Sequence, residues 1–297
     1  MGNLKTRKSL QSNFVFILFT IIPLVLYVWF FIYPVFCGFF YSVTNYNGLS
    51  NNYSIVGMKN FIKVLQDKDV GNSAVFTLVY TVLVTVIKLA LALILAIILY
   101  GKIKFRGFFR GLYFFPAVLG MVTIGLIFNQ IFIYVVPKIG QSLGIAWLSN
   151  NLLASPNTAM IGVLITSVWQ GIAIPMVIFM AGLSNVPRDL EEAATLDGAN
   201  AFQQFMAISL PYLIPMLNVN LVMSIKGGIT VFDYIVALTS GGPGGATESI
   251  GYLIYNEGFN NFKFGYASAI SIYAFLVMAI ISFIQIKLLN KKEVGQQ

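Results

Sequence analysis

Six stretches of this chain are each long and apolar enough to cross a lipid bilayer, at residues 14–40, 73–100, 112–134, 157–182, 212–235 and 264–289. A bilayer core of roughly 30 Å takes about 20 apolar residues at the helical rise. Inside hydrocarbon no water satisfies a bare backbone amide or carbonyl, so a spanning segment is either a helix or a strand of a closed barrel. Barrel strands alternate apolar with polar residues, whereas these six runs are continuously apolar. The expected fold class is therefore all-α and integral to the membrane, with six transmembrane helices. Nothing in the sequence divides the chain, so residues 1–297 are expected to form a single membrane domain.

Composition removes most other chemistry. Of 297 residues 58% are hydrophobic and only 9% are charged, against about 25% charged in soluble domains. There is no histidine, and the one cysteine, Cys37, sits beside Gly38 in an apolar run where a thiol packs as a small hydrophobe. Histidine-based metal sites, disulfides and Cys–His catalysis thus lose their raw material, and no metal or cofactor is expected to be bound by this chain. The patterns G-x-x-x-x-G-K-[ST] and G-x-S-x-G are absent. Gly241, Gly242, Gly244 and Gly245 around Pro243 lack the strand-then-helix context of a dinucleotide site and are expected to form a turn on the outer face. Carboxylates are nearly missing from the spans, with Asp233 near the end of the fifth as the candidate. An ion relay of the kind that drives a secondary transporter therefore finds little support.

The formal charge of +8 does not point to nucleic acid, because the basic residues flank the apolar spans. With the amino terminus in the cytoplasm, Lys5, Arg7, Lys8, Lys102, Lys104, Arg106, Arg110, Arg188, Lys287, Lys291 and Lys292 lie inside. Lys59, Lys63, Lys68, Lys138 and Lys263 then lie outside, on longer loops. Both termini are accordingly expected in the cytoplasm. The first run follows Lys5, Arg7 and Lys8 but exceeds the roughly 7–15 residues of a signal-peptide core, and is expected to be a span. The segment KIKFRGFFRG (102–111) alternates bases with aromatics and glycine, which suits an elbow anchored among lipid headgroups, a lipid-specific site being the alternative. Lys88 and Lys226 fall within spans, where a charge costs roughly 2.5–3.5 kcal/mol. For Lys88 the sequence leaves open packing between helices and a place on a transport path; for Lys226, next to Gly227 and Gly228, it leaves open packing and the border of a cavity.

The connection at 183–211 breaks the apolar pattern. Asp189, Glu191, Glu192 and Asp197 are four of the chain's ten carboxylates, and this stretch is expected on the cytoplasmic side. Pro187 suits the first turn of a helix, and Asp189 and Glu191 either stabilise its positive end or meet a partner. Gly198 is placed to stop that helix, and a second is expected over 201–208 before Pro211 opens the fifth span. The spacing Glu192-Ala193-Ala194, three residues, Gly198, nine residues, Ile208-Ser209-Leu210-Pro211 resembles the EAA loop of transmembrane subunits of binding-protein-dependent ABC importers. Further segments resemble the carbohydrate-uptake branch, in particular the first subunit of maltose permeases. They are Gly57-Met58-Lys59-Asn60-Phe61, Arg110 with Phe115-Pro116, and Leu238-Thr239-Ser240-Gly241-Gly242-Pro243. Thr247, Tyr255, Phe259 and Gly265-Tyr266-Ala267 continue the last of these.

The resemblance implies a type I ABC importer permease fold in the bacterial cell membrane, working as one half of a heterodimer with a second, homologous permease. The implied partners are two cytoplasmic ATPase subunits carrying ATP and Mg, an extracellular solute-binding protein, a sugar (an oligosaccharide first) and membrane lipid. Glu191, Glu192, Ala193, Ala194, Asp197 and Gly198 would form the coupling helix and turn that dock on the ATPase. Sugar-site positions map to Ser167, Trp169, Gln170, Gly171 and Ile174 on the fourth span and to Gly227, Gly228 and Val231 on the fifth. The maltose pattern has larger side chains at the fifth-span positions, so the glycines here either widen a cavity or bring helices close. Alternatives are an importer of glycerol phosphate or another polyol-like solute, and, in a different class, an ion-coupled secondary transporter or a membrane scaffold.

Overall fold

The computed structural model describes residues 16–101 and 104–289. Lys5, Arg7, Lys8, Lys102, Lys291, Lys292 and the first two residues of the 14–40 span lie outside the described residues. The chain runs as α1 (Phe16–Ser42), α2 (Lys59–Gln66), α3 (Lys68–Tyr100), α4 (Arg106–Val118), α5 (Met121–Leu143), α6 (Pro156–Gly171), α7 (Ala173–Ser184), α8 (Arg188–Leu196), α9 (Ala201–Ile229), α10 (Asp233–Leu238), α11 (Ile250–Tyr255) and α12 (Phe264–Leu289). Among the described residues extended pairing is limited to one bridge, Thr44 with Ile55. Helices α1, α3, α5, α9 and α12 are long and apolar enough to cross a membrane, and α6 with α7 makes a sixth span bent by 44°.

Three helices depart from the stretches read by hydropathy, each for a local reason. The third run breaks at Leu119 and Gly120, both extended, so the long helix starts at Met121 and covers 121–143 rather than 112–134. Glycine is the poorest helix former after proline, and the break falls on one. In the fourth span, Pro175 has no N–H for the carbonyl of Gly171 and its ring presses on that turn, which bends the helix there. The fifth span begins earlier than expected. No separate helix over 201–208 forms; these residues are the first turns of α9, which passes Pro211 through a wide turn at Phe205–Ser209. There the N–H of Leu210 reaches Phe205, five residues back. The widened turn relieves the ladder that the proline cannot join.

Packing sorts the described residues into two compact units. The first joins the described part of Met1–Gln66 to Ile254–Tyr273. Its α1 is apolar around its whole circumference, with Trp29, Phe30 and Phe36 exposed, as suits a helix bathed in lipid. Below α1, Tyr41 stacks on Tyr46 at 4.4 Å and Tyr53 meets Tyr46 edge-on at 5.2 Å. Asn60 donates to the carbonyls of Ser42 and Thr44 at 2.9 and 2.8 Å, closing the loop between α1 and α2. Lys63 Nζ lies 4.2 Å over the Tyr266 ring.

The second unit is Asp67–Leu253 with the chain from Ala274 on. Helix α3 is its axis, capped by Asp67, whose carboxylate accepts the N–H of Asp69 at 3.0 Å. Phe76, Tyr80 and Val84 of α3 belong to one buried cluster with Val163, Val168 and Ile235. Leu89, Ala92 and Ala96 belong to a second, with Met176, Phe179 and Leu213. Lipid tails are as apolar as leucine, so helices in a membrane associate through close packing rather than through hydrophobic exclusion, and small residues make it possible. Gly182 on α7 shows this: a Cβ there would lie 2.6 Å from Cγ of Met216 on α9. Buried Asn220 of α9 ties across to the Pro175 carbonyl of α7 at 3.3 Å.

Candidate functional site

At the edge of the first buried cluster α3 brings a mixed face to a cavity. Tyr80, Val84 and Lys88 recur every four residues and so share one side of the helix. They line a cavity of about 240 Å³ whose other walls come from α5, α6, α9 and α10. Ser167 and Gly171 enter it from α6, Gly227 and Gly228 from the end of α9, and Val231 from the link to α10. Five of the sugar-site positions expected from sequence are thus brought together. Asp233 and Tyr234, at the start of α10, complete the wall with Thr230.

The two fifth-span glycines do different jobs. A Cβ on Gly228 would stand 2.8 Å from Thr81 Cγ2 and 2.9 Å from Thr81 Cα, so this glycine lets α9 touch the backbone of α3. A Cβ on Gly227 would meet nothing within 4 Å, so this one leaves space. Gly171 makes room of another kind: its Cβ would lie 3.1 Å from Cδ of Lys88, whose stem crosses the α6–α7 bend there. Among the described residues Lys88 makes no ion pair; Lys263 pairs with Glu257 at 2.9 Å.

Three of the expected positions lie elsewhere. Trp169 is 43% exposed, packs 5.2 Å from Phe128, and lines a separate apolar groove of about 810 Å³ with α3 and α4. Ile174 is 47% exposed and lines neither the polar cavity nor that groove. Gln170 is buried behind the cavity wall with both ends of its amide engaged. Its Nε2 donates to the Leu119 carbonyl at 2.8 Å and its Oε1 accepts from the Tyr234 hydroxyl at 2.6 Å. The amide therefore pins the break before α5 to the start of α10. Lys226, for which a cavity border is one of the open readings, is exposed on α9 and outside the cavity lining. Tyr80 and Tyr234 escaped the sequence reading. The four-residue spacing of Tyr80, Val84 and Lys88 was the available signal; for Tyr234 there was none beyond its place next to Asp233.

At the other end of α9 the charged loop forms a tight corner. Helix α8 carries Asp189 and Glu191 in its first turn, where the peptide dipoles favour negative charge by about 0.3–1 kcal/mol. It ends at Gly198 with φ of +80°, the N–H of Gly198 bonding Thr195 at 3.1 Å and that of Ala199 bonding Ala194 at 3.0 Å. This paired closure uses the left-handed conformation that glycine adopts freely. Asn200 then caps α9 reciprocally with Gln203, at 2.9 and 2.8 Å. Gln204 clamps the corner from inside, donating to Ala199 O at 2.9 Å and Thr195 Oγ1 at 3.1 Å. Glu192, Ala193, Asp197 and Gly198 are exposed, with Glu191 and Ala194 half-buried. Among the described residues none of these carboxylates forms an ion pair. Two apolar side chains missed by the sequence reading stand beside them, Leu196 at 89% and Phe202 at 69% exposure.

Residues 88–294 match the family described as binding-protein-dependent transport system inner membrane component. A curated relative, the multiple sugar-binding transport system permease protein MsmF of Streptococcus mutans serotype c, is 43% identical over 276 residues, covering 93% of this chain and 95% of the relative. Among solved structures, a bacterial ABC transporter involved in the import of the acidic polysaccharide alginate superposes with a TM-score of 0.81, covering 97% of this chain and 99% of that one at 17% identity. A bacterial alginate ABC transporter in complex with an alginate pentasaccharide-bound periplasmic protein gives 0.76, covering 94% of each chain at 18% identity. At such identities the likeness is one of fold.

Proposed function

Because the chain belongs to the binding-protein-dependent transport system inner membrane component family, we propose that it carries sugar across the membrane through the polar cavity, driven from the charged corner. It is a multi-pass membrane protein with the ABC importer permease fold, and it is the permease subunit of an ABC sugar importer. ATP and Mg belong to two separate cytoplasmic ATPase subunits, a second homologous permease completes the pore, and an extracellular binding protein delivers the sugar. Both termini and the corner at α8 face the cytoplasm, while Lys104, Arg106 and Arg110 rest against lipid headgroups.

The observation that carries this reading is α9. Its 29 residues span roughly 43 Å at about 1.5 Å each. One end is locked to α8 by the Gly198 turn and the Asn200 cap; the other carries Gly227 and Gly228 at the cavity. A pull on α8 is transmitted to the cavity wall without a flexible joint between them. Alternating access needs such an element, with different contacts in its two states. Glu192 and Asp197 supply charge, Leu196 and Phe202 supply apolar contact, and Ala193 allows close approach to the ATPase. Ser167, Gly171, Gly227, Gly228 and Val231 border the sugar.

The test is uptake of labelled oligosaccharide into proteoliposomes holding this chain, a second permease subunit, the ATPase and the binding protein. The expected uptake requires ATP and all four components. Uptake driven by an ion gradient without the ATPase overturns the reading.

A further inference from the structure

We propose that Lys88 and Asp233 together grip one uncharged sugar ring in the cavity, and so select neutral saccharides over anionic ones. The proposal rests on the reading of the chain as a sugar permease and adds two residues, from α3 and α10, that lie outside the positions implied by family resemblance.

Both groups line the same cavity and neither is consumed in an ion pair among the described residues. Lys88 is held in place rather than swept aside, because Gly171 leaves the lane its stem occupies. Lys226 is exposed and outside the lining, so among the described residues the charges bordering the cavity are one ammonium and one carboxylate. Their sum is zero. An anion in this space gains from Lys88 and loses to Asp233, whereas a neutral polyol satisfies both. An ammonium donates to hydroxyl oxygens and a carboxylate accepts from hydroxyl hydrogens, and adjacent ring hydroxyls offer both. Tyr80 and Tyr234 add aromatic wall. At about 240 Å³ the space falls below the roughly 300–1,000 Å³ of drug-sized ligand sites, which suits one ring rather than a whole oligosaccharide.

The experiment uses the complete importer in proteoliposomes. The wild type is first matched to its best substrate among labelled maltose, trehalose, maltotriose, arabinotriose and an oligo-uronate. A wild type that imports none of these sinks the sugar reading itself, before any variant is made. A wild type that prefers the oligo-uronate overturns the present proposal alone. With a neutral substrate in hand, sugar delivered per ATP hydrolysed is compared for Lys88→Met, Asp233→Asn, the double variant and Lys88→Arg. Each single neutralisation is expected to lower that ratio at least tenfold by leaving the other charge uncompensated. The double variant is expected to lose no more than the worse single, and Lys88→Arg to recover most of what Lys88→Met loses. Single variants within twofold of wild type, losses that simply multiply in the double, or a Lys88→Arg as poor as Lys88→Met each overturn it. A loss of uptake matched by an equal loss of ATP hydrolysis also overturns it, since that marks a structural role.

Discussion

Gln170→Leu separates a brace from a binding group. The wild-type amide donates to the Leu119 carbonyl at 2.8 Å and accepts the Tyr234 hydroxyl at 2.6 Å, with Gln170 itself only 6% exposed. Leucine matches its size and removes both bonds. A buried polar group left without a partner costs about 1–3 kcal/mol. Leu119 stands at a helix break with its carbonyl turned inward, and its loss is expected near the upper figure. The Tyr234 hydroxyl borders the cavity wall and can take water in exchange, which keeps its share near the lower one. The sum is about 3–4 kcal/mol, enough to lower the unfolding midpoint of the purified importer by several degrees. Thermal unfolding followed by intrinsic fluorescence measures it, with KM and maximal uptake rate read in parallel on the reconstituted importer. The expected pattern is a lower midpoint and lower maximal rate with KM within twofold of wild type. A tenfold rise in KM with an unchanged midpoint would place the amide on the sugar and refute the brace.

Other outcomes follow from the same geometry. Gly198 sits at φ +80° with open space around its Cβ, so its substitutions cost backbone conformation and not clash. Gly198→Asn is expected near wild type, while Gly198→Val loses about 1–2 kcal/mol or more at the corner and uncouples uptake from ATP hydrolysis. Gly228→Leu, which would press on the Thr81 backbone, is expected to cost roughly 1–3 kcal/mol and to reduce recovery of the folded importer. Gly227→Ala, with nothing within 4 Å, is expected to assemble normally, as size-exclusion of the purified complex would report. Leu196→Ser with Phe202→Ser removes the exposed apolar contacts beside the acidic corner and is expected to weaken ATPase copurification by about tenfold, of order 1.4 kcal/mol. Ser224→Ala deletes a buried hydroxyl that has no hydrogen-bond partner among the described residues and is expected to raise the unfolding midpoint slightly, worth up to about 1 kcal/mol.

Much of this was legible from sequence, since a bilayer makes long apolar runs helical whatever surrounds them. The existence of the spans and the Glu192–Gly198–Pro211 spacing depend on residues close together in the chain. The Gly198 stop was readable for the same reason: a left-handed closure is a local preference. Positions that hang on distant partners were not. Leu119 and Gly120 break the third apolar run where Gln170, fifty residues on, holds the carbonyl. Hydropathy cannot register that bond. From sequence, residues 201–208 read as a separate short helix because Pro211 looks like a start, yet a wide turn carries α9 through it.

The cavity shows the division most sharply. Sequence spacing could place Tyr80, Val84 and Lys88 on one helical face, but not say which helix that face meets. It could offer Ser167, Trp169 and Gln170 as neighbours on one span, yet consecutive residues on a helix point about 100° apart, and tertiary packing sent them to three surroundings. Ser167 faces the cavity, Trp169 an apolar groove, and Gln170 a backbone break. Likewise Gly227 and Gly228 are chemically identical in the sequence. Only the approach of Thr81 on α3 makes one a contact and the other an opening. The sequence by itself determined that the chain spans a membrane in helices and carries a rigid charged corner, because both follow from chemistry within a few turns. The tertiary structure decided which side chains meet in the cavity, because that depends on which helix faces pack together, and no local rule in the chain specifies them.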